Sequence, residues 1–183
     1  MKQKGRKLLP VLLMIWPYVL PFFNFLENEQ FMSLVAGLYS VLSVAVCILN
    51  IVNAFRYNGE KAYYELALFN MLIKAAHIPF YAVMFAIGVV FVFASVVPAL
   101  LFVAPMVIFY FFLIDVLLLF TSSMYGINAI WKSCREGMIT RKAALLNTLL
   151  HFCFVTDVLS AVNVYRKVRK QMKCRQASLC GKE

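Results

Sequence analysis

From Tyr63 to Trp131 the chain runs for 69 residues in which Glu65, Lys74, His77 and Asp115 are the only Asp, Glu, Lys, Arg or His side chains. A run this long and this apolar has no water-facing side, so it restricts the chain to a lipid setting. In the hydrocarbon core every backbone N–H and C=O must be satisfied internally, by a helix of roughly 20 apolar residues or by a strand in a closed barrel. The apolar residues here are continuous rather than alternating, which selects helices. Composition agrees: 63% of the 183 residues are hydrophobic, 14% are charged and the mean hydropathy is +0.82. These values exclude a water-soluble enzyme, a disulfide-stapled secreted domain and a disordered tail protein.

The expected fold is all-α: a polytopic helical membrane protein, a small bundle of four to five transmembrane helices forming a single domain over residues 1–183. The first helix is placed at 8–26, where Pro10, Pro17 and Pro21 make it irregular and no A-x-A-like cleavage site follows. The second is placed at 31–55, after the acidic link Glu27-Asn28-Glu29-Gln30. Arg56, Lys61 and the turn signal Asn58-Gly59 return the chain to the basic side. The long run divides into a helix at 62–97, kinked near Pro79, and one at 100–131, with Pro98 opening the turn between them. The last apolar stretch is 143–165, and 166–183 forms a basic tail.

A net charge of +10 would point a soluble protein towards nucleic acid. Here the basic residues lie between the apolar runs, marking cytoplasmic segments, and no nucleic-acid partner is expected. The N-terminal cluster Lys2, Lys4, Arg6 and Lys7 places that end in the cytoplasm, with a bacterial cytoplasmic membrane as the expected location. The loop from Lys132 to Lys142 has four basic residues and one acid, and the tail carries Arg166, Lys167, Arg169, Lys170, Lys173 and Arg175. Loop and tail cannot both stay inside if 143–165 crosses once. A re-entrant last helix satisfies the charge rule. Against an interfacial helix, Asn147, Thr148 and His151 fall on one face and Thr156, Ser160 and Asn163 on another. The six tail cations are candidate contacts for anionic lipid head groups.

Ionisable groups inside apolar helices are costly and are functional candidates by default. Asn70, Lys74 and His77 recur at i, i+4 and i+7 and form a polar stripe. Its plain use is helix-to-helix hydrogen bonding with Lys74 snorkelling to head groups; its sharper use is one wall of a ligand cavity. Asp115 and Ser122 share a face with Gly126, and a Lys74–Asp115 ion pair with His151 nearby is a geometric possibility. Asp157 has Ser160 at i+3 and completes the intramembrane set of Asn70, Lys74, His77, Asp115, Ser122, His151 and Asp157. These residues lie on three helices without an H-x-x-x-H or H-E-x-x-H pair, so no metal site is expected, and no cofactor fingerprint occurs. Glu65 lies near the interface. Cys47, Cys134, Cys153, Cys174 and Cys180 have no metal-ligand spacing and read as reduced thiols.

No catalytic signature appears: there is no G-x-S-x-G, P-loop or dinucleotide fingerprint. Three functional readings remain. The first is a small transport, permeation or membrane-accessory protein with a polar interior. The second is a structural or interaction subunit of a membrane complex, such as an immunity-type partner. The third is an intramembrane lipid-modifying enzyme using His77 or His151. Membrane lipids are expected partners, together with a second copy of the chain or another membrane protein, because so small a bundle has few residues with which to enclose a pathway.

Overall fold

The computed structural model describes residues 2–19, 29–59, 61–151 and 154–180. Six helices follow in order: α1 Lys2–Ile15, α2 Glu29–Arg56, α3 Ala62–Ala94, α4 Val103–Arg135, α5 Arg141–Leu150 and α6 Phe154–Cys180, with a short 3-10 turn at Pro98–Leu100. No strand occurs among the described residues. Three helices are long and apolar enough to cross a membrane: α2 from Leu34, α3 and α4. Their outward faces carry Leu34, Val41, Phe85, Phe93, Phe112 and many similar exposed side chains, far more than the apolar patch a water-soluble monomer leaves open.

Local sequence accounts for the ends of the helices. α1 gives way to a 3-10 segment over residues 16–19, where Pro17 has no N–H to continue the α pattern. The expected helix at 8–26 runs past this point into residues 20–28, and Pro21 with it, outside the described residues. α3 continues through Pro79. Pro98 starts the 3-10 turn, and Pro105 falls in the first turn of α4, where the backbone N–H groups have no intrahelical acceptor.

The end of α2 is fastened from two sides. The last four carbonyls of a helix lack intrahelical donors. Asn128 of α4 donates to the Ala54 carbonyl, Arg6 of α1 donates to that of Arg56 at 2.9 Å, and Lys132 of α4 donates to that of Tyr57 just beyond. Lys132 also reaches Asn58 Oδ1 at 2.9 Å. Glu65 accepts from Lys7 and from the Tyr57 hydroxyl. Burial pushes that hydroxyl above its ordinary range, and the Glu65 carboxylate adds to the rise, so Tyr57 keeps its proton.

Inside the bundle, α2 and α4 share a polar contact. The Tyr125 hydroxyl donates to Asn50 Oδ1 at 2.8 Å and accepts from Asn53 Nδ2 at 3.1 Å, while Asn50 Nδ2 donates back to the Val46 carbonyl at 2.9 Å. Around this contact pack Leu13, Ala54, Leu66, Ile73, Leu118, Ala129 and Ile130.

The main departure from the sequence expectation concerns 143–165. This stretch is two helices: α5 ends at Leu150, and α6 begins at Phe154 and continues through the basic residues to Cys180. The basic segment 166–180 is thus the second half of a helix. The buried residues of α6, Asp157, Ser160, Ala161, Val164 and Val168, recur at helical spacing and form one stripe against α3. Tyr165 meets Tyr64 near the start of α3, with hydroxyls 3.1 Å apart, while Asp157 meets Lys74 further along, so α6 runs antiparallel to α3. Cys47, Cys134 and Cys174 are free thiols; Cys153 and the side chain of Cys180 lie outside the described set.

Tyr125→Phe removes the donor to Asn50 and leaves a buried amide oxygen unpaired. It is expected to lower the unfolding free energy by about 0.6–2 kcal/mol in mixed micelles. Wild-type stability would mean that this contact does not hold α2 to α4.

Candidate functional site

α5 and α6 form a hairpin that breaks where the chain meets α3 and α4. The break is stabilised by local chemistry. Ser123 of α4 donates to the His151 carbonyl at 3.2 Å, and Thr156 donates to that of Leu150 at 3.1 Å, so the open end of α5 finds donors. Ser160 closes the hairpin, its hydroxyl 3.2 Å from Asn147 Oδ1 and 3.4 Å from the Asn147 carbonyl. Asn147 and Thr148 return their own donors to the carbonyls one turn back, at 2.7 and 2.9 Å.

At this break lies a charged centre. The Lys74 ammonium donates to Asp157 Oδ1, and His151 Nδ1 lies 2.5 Å from the same oxygen. Lys74 Nζ is 3.0 Å from His151 Nδ1 and 3.5 Å from the Ser123 hydroxyl. Lys74, His151 and Asp157 are at most 3% exposed. Asp157 stands in the first turn of α6, where the helix dipole favours a carboxylate. Its second oxygen, Oδ2, has no hydrogen-bond partner among the described residues.

Gly126 makes room for this centre. A Cβ at Gly126 would lie 2.6 Å from His151 Nε2 and 2.7 Å from Asn70 Nδ2, closer than real Cβ contacts allow. The shared face of Asp115, Ser122 and Gly126 is therefore the face that α4 turns towards α3 and the hairpin.

Beside the centre a cavity of about 770 Å³ opens between α3, α4 and the start of α6. Lys74, Ser122, Asp115 and Asp157 supply its charged and hydroxyl groups together with Tyr81, and the rest of the wall is aliphatic or aromatic. Asp115 Oδ1 is buried and has no hydrogen-bond partner among the described residues. Lys74 is thus paired with Asp157 of the hairpin rather than with Asp115. The Lys74–Asp115 pair considered from sequence rested on estimated depths along the helices; the break after Leu150 lets Asp157 reach Lys74 instead.

The polar stripe of α3 also divides. Asn70 faces Gly126, Lys74 faces the hairpin, and His77 turns towards α1, its Nε2 3.0 Å from the Leu13 carbonyl. Only Lys74 of the three borders the cavity. Ser122 is buried on the cavity wall and donates to the Leu119 carbonyl at 3.0 Å. Arg166, Lys167, Arg169, Lys170 and Lys173 are exposed along α6, and the side chain of Arg175 lies outside the described residues. Asn50, Asn53, Tyr125 and Asn128 were not singled out from sequence. The available signal was Asn50 and Asn53 at i, i+3 within an apolar run, a spacing that turns both towards one neighbour. Among the described residues, no group of three His, Cys, Asp or Glu side chains forms a metal-ligand set.

Fold and site together define an all-helical protein with three helices able to span a membrane and a buried Lys–Asp–His centre at a helix break. Residues 7–170 match DUF6652, a family of unknown function, and the chain belongs to that family. No curated protein and no solved structure matches it.

Gly126→Ala is expected to cost about 1–3 kcal/mol of stability through overpacking against His151 and Asn70. Gly88→Ala, with nothing within 4 Å of its Cβ, should be neutral. Thermal unfolding of both variants in detergent tests the contrast. Lys74→Met and Asp157→Leu singly strand a buried charge and should each cost about 3–5 kcal/mol, whereas the double exchange should cost less than their sum. Additive losses in the same assay would show that the pair is not coupled.

Proposed function

We propose that the chain is a multi-pass membrane protein of the transport, permeation or accessory type, which takes up a ligand from within the bilayer at its charged centre. One observation carries this reading: Asp157, held by Lys74 and His151 at the tip of a broken helix, lines a roomy cavity and keeps a buried oxygen without a hydrogen-bond partner among the described residues. Non-helical backbone at membrane depth is tolerated where it is buried in protein or lines a cavity, and discontinuous helices whose ends meet a charged group are a recurring way to build ligand sites there.

In this proposal the chain crosses the bilayer four times, first between the basic start of α1 and the start of α2 and then through α2, α3 and α4, with the basic ends of α1 and α2 on the cytoplasmic side. The α5–α6 hairpin enters from that side and returns to it. This arrangement keeps Lys132, Arg135, Arg141, Lys142 and the cations of α6 together, as the positive-inside rule requires. Leu145, Leu146, Leu149 and Leu159 on the outside of the hairpin are exposed, which supports its immersion in lipid. His151 is not among the residues lining this cavity, and its contact with Asp157 orients the centre.

Single cysteines in a cysteine-free background test the proposal. Replacements at Thr140 and Lys173 should label from the cytoplasm and one at Phe102 from the opposite side; labelling of Lys173 and Phe102 positions from the same side would replace the hairpin with a further crossing. Asp115→Cys should react with a small membrane-permeant thiol reagent, while Ser133→Cys, fully buried, should not. Failure of Asp115→Cys to react in folded protein would favour a purely structural subunit.

A further inference from the structure

Resting on the ligand-binding reading above, we propose that the cavity between α3, α4 and α6 binds a primary alkylamine. Its ammonium would sit between Asp115 and Asp157, and its chain would lie along α3 and α4.

The charge on the wall sets the sign of the ligand. Two carboxylates, Asp115 and Asp157, face the cavity against one ammonium, Lys74. That ammonium is already engaged by Asp157 Oδ1 and has His151 Nδ1 and Ser123 Oγ within 3.5 Å, so it does not call for an anion. The groups left over are acceptors. Asp157 Oδ2 and Asp115 Oδ1 are buried and without donors among the described residues, and the Asp157 side chain is 1% exposed. A buried acceptor without a donor is costly, and a ligand N–H is the group that removes the cost. A fatty acid would instead bring a third carboxylate. A quaternary ammonium would bring charge without an N–H.

The rest of the wall sets the body of the ligand. Tyr81 and Asp115 line the cavity together, with Phe111 one turn before Asp115 on α4, and aromatic faces attract cations. From Tyr81 the cavity follows Phe85, Gly88 and Val92 on α3, roughly 16 Å of helix at about 1.5 Å per residue. Beyond Tyr81 and Asp115 the lining is hydrocarbon apart from the Met84 thioether, and the volume lies within the usual range for ligand sites, about 300–1,000 Å³. An unbranched alkyl chain with one polar end matches this distribution.

The test uses the full chain in phosphatidylcholine nanodiscs and a dodecylamine carrying a diazirine at the chain end. Photolabelling should fall on segments 84–92 and 108–112. Free dodecylamine should remove it at concentrations about tenfold or more below those of dodecanol, dodecanoate or dodecyltrimethylammonium, a preference of about 1.4 kcal/mol. Asp115→Asn should weaken the amine about tenfold while Asp115→Glu retains it. Gly88→Leu, placed where a side chain meets open space, should block labelling without unfolding the protein. Lysophosphatidylethanolamine carries the same ammonium beside a phosphate. Its competition, if lost in Asp115→Asn, upholds the ammonium site and assigns its source to a lipid head group; its failure to compete points to a free amine. Equal competition by dodecanol or dodecanoate, or undiminished amine binding in Asp115→Asn, overturns the amine inference and leaves the cavity reading intact. If no alkyl probe labels these segments, the ligand-binding reading falls as well.

Discussion

Much of this structure follows from the cost of ending a helix away from water. The break after Leu150 exposes carbonyls of α5 and the first N–H groups of α6 at a place where solvent cannot serve them. Ser123 and Thr156 take the carbonyl side of that cost, and Asp157 lies at the N-terminal side with its charge neutralised by Lys74. The centre and the break therefore support each other. Without the break, Asp157 would lie at a different level from Lys74; without Lys74, the carboxylate that sits at the start of α6 would be a stranded charge. Gly126 belongs to the same solution, because a side chain there would overlap His151 and Asn70.

The C-terminal end of α2 solves a similar problem with cations. The carbonyls at the end of α2 accept from Arg6, Asn128 and Lys132, so α1 and α4 meet on a helix terminus that favours positive charge. Basic residues that look like simple orientation markers in the sequence also hold helices together. Arg6 and Lys132 act in this way, whereas Lys167, Lys170 and Lys173 stay free on the exposed face of α6.

The long apolar runs made the three membrane-length helices legible in the sequence, because length and hydropathy alone determine them. The ionisable residues of the site were legible too, since each stands out against an apolar background. The pairing was not. Lys74 has Asp115 and Asp157 as possible partners, and the choice depends on a break between Leu150 and Phe154 that no Pro or Gly announces. The conflict between charge and periodicity in 143–165 was the sign of that break: two polar faces on one stretch are incompatible with a single amphipathic helix and natural for two helices joined by a turn. Asn50 and Asn53 were not legible in this way, because an amide in an apolar helix carries no charge, although its hydrogen bonds decide which neighbour the helix takes.

The separation of the charged partners along the chain has a consequence for how the protein is made. Lys74 and Asp157 are 83 residues apart. At a synthesis rate of about 5–20 residues per second, the lysine waits on the order of 4–17 s before its carboxylate has been translated. In the proposed bilayer setting α3 carries an uncompensated cation during that interval, a cost that long lysine side chains meet by reaching towards the interface. Docking of the hairpin, translated after the helices it packs against, is then the step that pairs Lys74 with its carboxylate.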